Sequence, residues 1–535
     1  MIYPIEPLTD TEAARLAPHV TSLTSPVFAL TNLPETVKGA MFARYSRYRG
    51  TLRRLFIDEF AGSLPAVAGG ADDSEGAAAA GVYDRVFVGF GDDSVAQLGG
   101  VHVACEWSSN ILTKLLQRPR IGSYLEQSTR YIAFDKPIND HGHFRHYRGG
   151  AGDDTLADPV YLQAMDDLFG AYSRLLPRME TWAAGTFPHT DGPEAAWRRA
   201  IKAKALDALR GLLPASTLSH MGIYASGQTY EQLVLHLLAH PLPEARHYGE
   251  MLLDALKHVI PSFLARVERQ DRGGVWIDYL DERRRAGERW ASKLCLTRDA
   301  DADQGPSVKL LRHDGTEDDL LAALLYEQVG VSESDTVELV KAMGEQEKAA
   351  AIADLVGDRE NRRHRPGRGF ETLRYRFEVV SDYGAFRDLQ RHRMLTVQWQ
   401  TLAPDLGAEV PADVDAAGCG DEFRAALDIS RRAYEHLLER SGPHAASYAL
   451  CLAYRIRYVL DLNAREAMHL CELRSGKDGH PSYRAVAQEM YRQIAGVHPQ
   501  VGAAMSHMDL SSDPRLERIA SEIRNERKAQ AAERA

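Results

Sequence analysis

Two segments of the chain, 101–107 and 373–379, alternate apolar and polar side chains with a period of two. Because every second side chain of a strand faces the same side, each segment is predicted to be a strand with one buried face. Polar residues that can cap a helix follow at 108–110 and at 381–382, and an apolar helical stretch follows each of them.

Each of these strand–helix units ends in an arginine pair. Residues 117–120 read Gln-Arg-Pro-Arg and residues 390–393 read Gln-Arg-His-Arg, at nearly equal spacing from the strands. Recurrence of strand, cap, helix and arginine pair predicts a tandem duplication, with helices dominating both halves. We therefore expect an α+β protein of two domains, 1–298 and 299–535, each a small sheet packed with several helices.

Three local features add detail to this organisation. The stretch 63–81 is rich in small residues and predicts a flexible surface loop. Thr316 and Asp319 form a capping-box pattern at the start of a helix. The last stretch predicts a solvated, fraying helix with Asp513 as its cap and Pro514 in its first turn.

Composition and charge narrow the class of protein. The chain of 535 residues is 44% hydrophobic with a net charge of −11, so it can build real cores and carries no global basic field for nucleic acid. Its five cysteines form no Cys-x-x-Cys pair, which indicates free thiols in a reducing compartment. No signal peptide or long apolar run stands out, so we expect a cytoplasmic protein without a membrane partner.

The segment 118–131 carries the richest candidate chemistry. Pro119 and Gly122 break the helix, after which Glu126, Ser128 and Arg130 follow at alternate positions. In an extended segment these three side chains project from one face. Arginine with a hydroxyl suits a phosphate, and a carboxylate accepts a hydrogen bond from a sugar hydroxyl. The segment therefore suits a nucleoside monophosphate, although an ordinary surface ion pair is an alternative.

The same segment resembles the signature of flavin-dependent thymidylate synthases (ThyX), R-H-R-x-x-S-x-N-E-x-S-x-R-Y. The matching residues are Arg118, Arg120, Ser123, Glu126, Ser128, Arg130 and Tyr131, whereas Pro119 replaces the histidine and Leu125 the asparagine. The second half matches the other end of the signature, with Arg391, His392 and Arg393 intact and Thr396 in place of the first serine. Its later positions are changed to Trp399, Thr401, Ala403 and Pro404.

The resemblance extends beyond the signature. The family's downstream Asn-Ala-Arg pattern occurs as Asn463-Ala464-Arg465, followed by Arg474 and His480; the first half has Ser226-Gly227-Gln228 there. The family's Arg-x-x-Leu-Pro pattern begins at Arg210, whereas the second half has Ser447 in that region. Each half is thus degenerate in a different place.

By resemblance, the two halves divide the site between them. The implied nucleotide-binding residues are Arg118, Glu126, Ser128, Arg130 and Arg210, all in the first half. The implied flavin-binding residues are Arg391, His392, Arg393, Asn463, Arg465 and His480, all in the second half. Arg474, which matches an arginine that approaches the pyrimidine, and Arg391 are the implied catalytic residues.

The resemblance implies an FAD enzyme that methylates dUMP to dTMP, with methylenetetrahydrofolate and NADPH as co-substrates. The family is a homotetramer, so a tandem chain is expected to form a homodimer with one complete site per chain. Two alternatives stay open: a flavin enzyme for another pyrimidine nucleotide, and a catalytically inactive paralogue that binds nucleotide or flavin as a regulator or scaffold. No His-Glu-x-x-His pattern or compact Cys/His cluster predicts a metal site.

Overall fold

The computed structural model describes residues 6–25, 28–45, 48, 50–62, 97–138, 142–150, 155–190, 192–294, 305–512 and 515–534. The predicted loop at 63–81 and the predicted helix cap at Asp513 and Pro514 lie outside these residues.

The described part of the first half contains three strands among many helices. In chain order these elements are α1 (Asp10–Leu16), α2 (Glu35–Tyr45), α3 (Leu52–Leu55), β1 (Gly100–Ser109), α4 (Asn110–Leu116), β2 (Ser123–Glu126), α5 (Pro159–Thr186), α6 (Glu194–Leu209), β3 (Leu218–Ser226), α7 (Gly227–Leu238), α8 (Pro243–Lys257), α9 (Pro261–Leu264) and α10 (Val275–Lys293).

The described part of the second half repeats this order with additions before its first shared strand. Its elements are β4 (Ser307–Asp314), α11 (Glu317–Leu325), α12 (Glu333–Lys341), α13 (Glu345–Val356), β5 (Arg374–Asp382), α14 (Tyr383–Leu389), β6 (Leu395–Trp399), α15 (Ala412–Ala416), α16 (Gly420–Ala446), β7 (Arg455–Asn463), α17 (Ala464–Ser475), α18 (Pro481–Val497), α19 (Pro499–Ala504) and α20 (Ile519–Arg534).

The two sheets share one antiparallel plan. The first has the order β1-β3-β2 and the second has the order β4-β5-β7-β6, so β5, β7 and β6 correspond to β1, β3 and β2. The register agrees as well, because Glu126 pairs with Met221 near the middle of β3 and Trp399 pairs with Tyr458 at the matching place on β7. The fold confirms the predicted α+β class and the duplication.

The predicted helix starts are confirmed at three places. Ser109 Oγ accepts the backbone N–H of Leu112 at 3.0 Å and so begins α4. Asp382 accepts the N–H of Ala385 at 2.8 Å and begins the equivalent helix α14. Thr316 forms a capping box at the start of α11. These side chains satisfy N–H groups that have no partner inside a helix.

The halves meet through backbone hydrogen bonds and long helices. Residues 211–216 run against 448–453 with four backbone bonds of 2.7–3.1 Å, around a bridge between Pro214 and Cys451. Arg174 and Arg178 on α5 pair with Glu422 on α16, each at 3.0 Å. Buried backbone groups must be paired, so this ladder fixes one half against the other.

The arginine pairs themselves contact the opposite half. Arg120 donates to Oγ1 of Thr396 on β6 at 2.8 Å. In the reciprocal position, Arg393 donates to the backbone carbonyl of Gly122, just before β2. These reciprocal contacts relate the two halves across their interface.

The C-terminal helix differs from the prediction. α20 begins at Ile519, after the predicted start, and is not simply solvated. Arg199 on α6 pairs with Glu522 at 2.8 Å and with Glu526 at 2.6 Å. Periodicity alone could not show this because the contacts are between charged side chains far apart in the chain.

Two further observations concern the described residues only. The four cysteines found there are free, as predicted, and the structure shows that all four are buried. None of the helices in this part of the chain is long and apolar enough to cross a membrane.

Candidate functional site

Glu126 ends β2 and is buried between the two halves. Its carboxylate pairs with Nζ of Lys114 and with Nη2 of Arg387, each at 2.8 Å. Gln117 and Thr113 donate to it at 3.1 and 3.2 Å. Burial would raise the pKa of Glu126, but the charges of Lys114 and Arg387 hold that pKa well below its usual range. The carboxylate of Glu126 is therefore ionised, and both of its oxygens accept hydrogen bonds from these neighbours.

Lys114 and Arg387 occupy equivalent places in the duplicated plan. Each stands four residues before the first arginine of its pair, Arg118 or Arg391. Burial, with help from the neighbouring charges of Arg387 and Arg391, lowers the pKa of Lys114 to about 8. Sequence reasoning missed both cations, although aligning the two repeats places them at one common position.

The chain turns directly after β2, whereas the sequence pattern predicted that it stays extended through Arg130. Ser128 Oγ accepts the backbone N–H of Arg130 at 3.1 Å. The Arg130 guanidinium donates Nε and Nη2 to the two oxygens of Asp207 and Nη1 to the hydroxyl of Tyr483, all at 2.8 Å. Burial opposes the charge of Asp207, but Arg130 lowers the pKa of that carboxyl to about 2.

Arg210 begins a 3₁₀ turn and its side chain is 4% exposed. Nη1 donates to Asp388 at 3.2 Å and Nη2 lies 3.9 Å from Asp382. Its Nε and Nη2 nevertheless make no hydrogen bond within the described residues, and neither does Nε of Arg387. Buried donors in native proteins are almost always satisfied, so these three nitrogens can donate to a water molecule or to a bound acceptor.

Asp388 lies among three arginines. Besides Arg210, its carboxylate pairs with Arg391 and lies 3.9 Å from Nη1 of Arg474. Burial would raise the pKa of Asp388, but Arg391, Arg210 and Arg474 hold it well below its usual range. Asp388 was not singled out from the sequence, since an aspartate in a helix carries no signal of its own.

A cavity of about 40 Å³ opens between these side chains. It is lined by Glu126, Gln127, Ser128, Thr129, Arg130 and Arg210 from the first half and by Gly384, Arg387, Asp388 and Arg391 from the second. Four arginines outnumber the two carboxylates in this lining, so the cavity favours an anion. Its volume suits about three water molecules or one phosphate-sized group.

His392 is buried beside Arg474. Its Nε2 accepts from Nε of Arg474 at 3.0 Å, so its Nδ1–H donates to Glu466 at 2.9 Å. Burial, Arg474 and Arg391 lower the pKa of His392 well below its usual range, which makes the ring neutral. His392, Glu466 and His469 each place one possible metal-ligand atom within 4.8 Å of the others. A cation would have to displace the proton on Nδ1 in strongly cationic surroundings, which opposes a metal site.

The other flavin-side residues lie outside the cavity. Asn463 caps α17 through its side-chain oxygen, which accepts a backbone N–H at 2.9 Å. Arg465 lies on the first turn of the same helix, 3.5 Å from Glu371. Arg393 is exposed and contacts the opposite half, as described above. The structure thus separates these three residues from the cavity and leaves them on the His392 side of the second half.

Two predicted residues have other surroundings. His480 is buried, caps α18 by accepting the N–H of Ser482 at 3.2 Å, and places Nε2 3.2 Å from the carbonyl of Asp207. It lines a larger cleft of about 690 Å³. Arg118 does not line the small cavity either; it is exposed, and its guanidinium lies 5.3 Å above the ring of Trp399.

Because the chain is duplicated, the second half has a place equivalent to the cavity residues of the first half, which we call the reciprocal place. Strand register and element order place Trp399, Thr401, Ala403 and Ser447 where the first half has Glu126, Ser128, Arg130 and Arg210. The reciprocal place has lost the carboxylate and both arginines, so it lacks the anion-binding set.

The family model described as "Thymidylate synthase complementing protein" matches residues 58–262 and 309–500. The chain belongs to this family. The two matched regions confirm that a thymidylate synthase complementing unit is present twice, once in each half.

Similar proteins extend over almost the whole chain. A UPF0159 protein of Chlamydia muridarum is 35% identical over 507 residues, which is 93% of this chain and 94% of that protein. A UPF0159 protein of Thermoplasma acidophilum is 32% identical over 521 residues, covering 92% and 99% of the two chains. These alignments span both matched regions, so the relatives share the two-part organisation.

Among solved structures, a UMP/dUMP methylase PolB from Streptomyces cacaoi bound with 5-Br dUMP is similar to part of the chain. The match covers 38% of this chain and 96% of that one, at 20% identity and a TM-score of 0.30. At that level of likeness no property of the methylase is carried over to this chain.

Proposed function

We propose that the protein is an FAD-dependent enzyme that methylates dUMP to dTMP, with methylenetetrahydrofolate as carbon donor and NADPH as reductant. The observation that carries the proposal is the buried cationic cavity built by both halves. Arg210 and Arg387 keep hydrogen-bond donors free there, and a phosphate supplies the acceptors that such donors need. Membership of the thymidylate synthase complementing family supports the reaction class.

In this proposal the nucleotide phosphate enters the cavity. The Ser128 hydroxyl and the guanidinium of Arg210 would donate to it, with Arg130 held beside it by Asp207. The cavity is too small for a whole nucleotide, so the sugar and base would extend past Arg391 towards Arg474. A guanidinium next to a uracil carbonyl stabilises negative charge that develops on the ring.

The second half offers residues that fit a flavin dinucleotide. Burial raises the pKa of Glu466, and nearby His469 and the charges of Arg365, Arg465 and Arg393 act against this rise, so the surroundings of that carboxylate are cationic. This cationic surface next to neutral His392 suits the diphosphate of FAD. Bound flavin supplies the hydride-transfer chemistry, while these side chains would bind and orient it.

One complete site per chain follows from the unequal losses. The nucleotide-side residues of the first half would work with the flavin-side residues of the second, here within a single chain. Two chains would then imitate the family's tetramer as a homodimer. We place the division between the halves at 298/299, and we propose no nucleic-acid partner.

The test begins with the visible absorption spectrum of the purified protein, followed by release and identification of the bound chromophore. We expect FAD near one per chain, and dTMP formation from dUMP, methylenetetrahydrofolate and NADPH. A colourless protein that also fails to take up added FAD would refute the enzyme proposal. It would favour the inactive paralogue with a regulatory or scaffold role.

A different pyrimidine nucleotide is the second candidate substrate. Glu126 and Asp388 are the two carboxylates that line the cavity, and Asp388 is the one whose ion pairs are all with arginines. A carboxylate at that place can accept from a ligand hydroxyl or amine, which changes the choice of sugar or base. Turnover of UMP or dCMP in preference to dUMP, with bound FAD, would establish this candidate.

A further inference from the structure

The C-terminal tail reaches the nucleotide side of the site although it lies beyond the second family-matched region, which ends at residue 500. Arg518 in this tail is buried, with a side chain 4% exposed. Its Nη2 lies 3.1 and 3.0 Å from the two oxygens of Asp207, and its Nη1 donates to the backbone carbonyl of Arg130 at 3.0 Å. Its guanidinium also lies 4.2 Å from the ring centre of Tyr131.

Arg518 changes the charge balance around Arg130. Asp207 is paired with Arg130 at 2.8 Å, and these two groups alone would form a neutral pair. With Arg518 on the same carboxylate, two cations share one anion, and the group keeps one net positive charge. Because the group is buried, water screens this charge poorly and it acts on a nearby anion.

The surrounding contacts hold Arg518 in place. Glu517 pairs with Lys204 on α6 at 2.8 Å, and the same helix carries Asp207 near its end. On the other side, Ser521 donates to the side chain of Asp478 at 2.6 Å, and the backbone carbonyl of Asp478 accepts from Arg130 at 3.1 Å. The tail therefore contacts two of the three residues that accept from the Arg130 guanidinium, Asp207 and Asp478, the third being Tyr483.

We propose that Arg518 is a positioning residue for anion binding: its charge keeps Asp207 from neutralising Arg130, so that Arg130 attracts the phosphate of the nucleotide. This inference rests on the proposed function, because it assumes that the cavity takes a phosphate. It adds a residue from outside the family-matched region to the site.

The experiment measures dissociation constants for inorganic phosphate and for dUMP in the full chain and three variants. Arg518→Ala removes the charge, Arg518→Lys keeps it, and Arg524→Ala removes an exposed arginine from α20, the helix that begins directly after Arg518. We expect Arg518→Ala to weaken both ligands by about 10-fold or more, because it removes a buried positive charge that water screens poorly from the surroundings of the phosphate. The Arg518→Lys and Arg524→Ala variants should stay within about threefold of the unmodified protein.

The outcomes distinguish the role of Arg518 from the proposed function of the protein. Unchanged phosphate affinity in Arg518→Ala, or an Arg518→Lys variant as weak as Arg518→Ala, would overturn the role of the charge, since packing alone gives no rescue by lysine. An unmodified protein that binds phosphate but neither dUMP nor UMP would overturn the proposed function and still test Arg518 through phosphate. Binding of none of these ligands would overturn both.

Discussion

Replacement of Arg210 by alanine tests the cavity most directly. The residue is almost fully buried and keeps Nε and Nη2 without hydrogen-bond partners among the described residues. If a phosphate accepts from both nitrogens, the variant loses two charge-assisted hydrogen bonds. Each is worth about 1.5–3 kcal/mol, so the loss is at least about 3 kcal/mol, or roughly 100-fold in affinity.

Arg210→Ala should reduce the stability of the fold less than it reduces the affinity for the ligand. Asp388 keeps its ion pair with Arg391, and Asp382 keeps hydrogen bonds from Ala385 and Ser482. Burial already raises the pKa of Asp382, so loss of the nearby cation favours its neutral form. The fold therefore has a route to relieve the uncompensated charge.

The assay is equilibrium binding of dUMP to Arg210→Ala and Arg210→Lys, with flavin content measured on the same samples. Lysine keeps the charge but not the planar fork, so it should lose about 10-fold. The matched control is Arg118→Ala, which removes another arginine that the family resemblance assigned to the nucleotide. Because Arg118 does not line the cavity, this variant should change dUMP affinity by less than about threefold. Arg210→Ala with dUMP affinity within about threefold of the unmodified protein, or an equal loss in the Arg118 variant, would refute the reasoning.

Three further predictions concern other parts of the site. Glu126→Gln should destabilise the fold by about 3–5 kcal/mol in chemical denaturation, because Lys114 and Arg387 lose their shared buried counter-charge, and a change under about 1 kcal/mol would contradict this. Burial and nearby arginines lower the pKa of His480 well below its usual range, so it stays neutral when folded but takes up a proton below about pH 6.5 when unfolded. The stabilisation that neutral His480 gives to the folded state is therefore complete above that pH and falls on acidification by up to about 1.4 kcal/mol per pH unit. His480→Gln should flatten the decline in the free energy of unfolding between about pH 7 and pH 5. Arg465→Ala should reduce bound FAD by about 10-fold or more with little change in dUMP affinity; parallel loss of both ligands without unfolding would contradict the division of labour.

The duplication shows why part of the site was accessible from the sequence. Lys114 and Arg387 hold equivalent positions in two aligned repeats, yet both contact the same carboxylate of Glu126. A repeat alignment finds such positions, because equal spacing is a property of the sequence. It cannot show that the carboxylate of Glu126 forms ion pairs with both cations, while Trp399, the residue equivalent to Glu126 in the second half, forms an ion pair with neither.

The expected extended segment after Glu126 illustrates a second limit. Alternate spacing suggested one common face for Glu126, Ser128 and Arg130, and all three do line the cavity. They reach it through a turn at Ser128, which a hydroxyl stabilises by accepting a nearby backbone N–H. The predicted conformation was wrong because side-chain to backbone bonding competes with the strand.

Local pattern by itself predicted two of the described strands, three helix caps and the repeat, since these depend on periodicity and on spacing over a few residues, and the arginine motifs carried the resemblance to the family. Only the tertiary structure decided which of the two reciprocal places retains a cavity and which side chains complete it. Arg130 meets Asp207 across 77 residues and Tyr483 across 353, and Arg518 reaches Asp207 across 311. Contacts over such distances depend on how the two halves pack and on which charges compete for one buried partner, and no short segment of sequence contains that information.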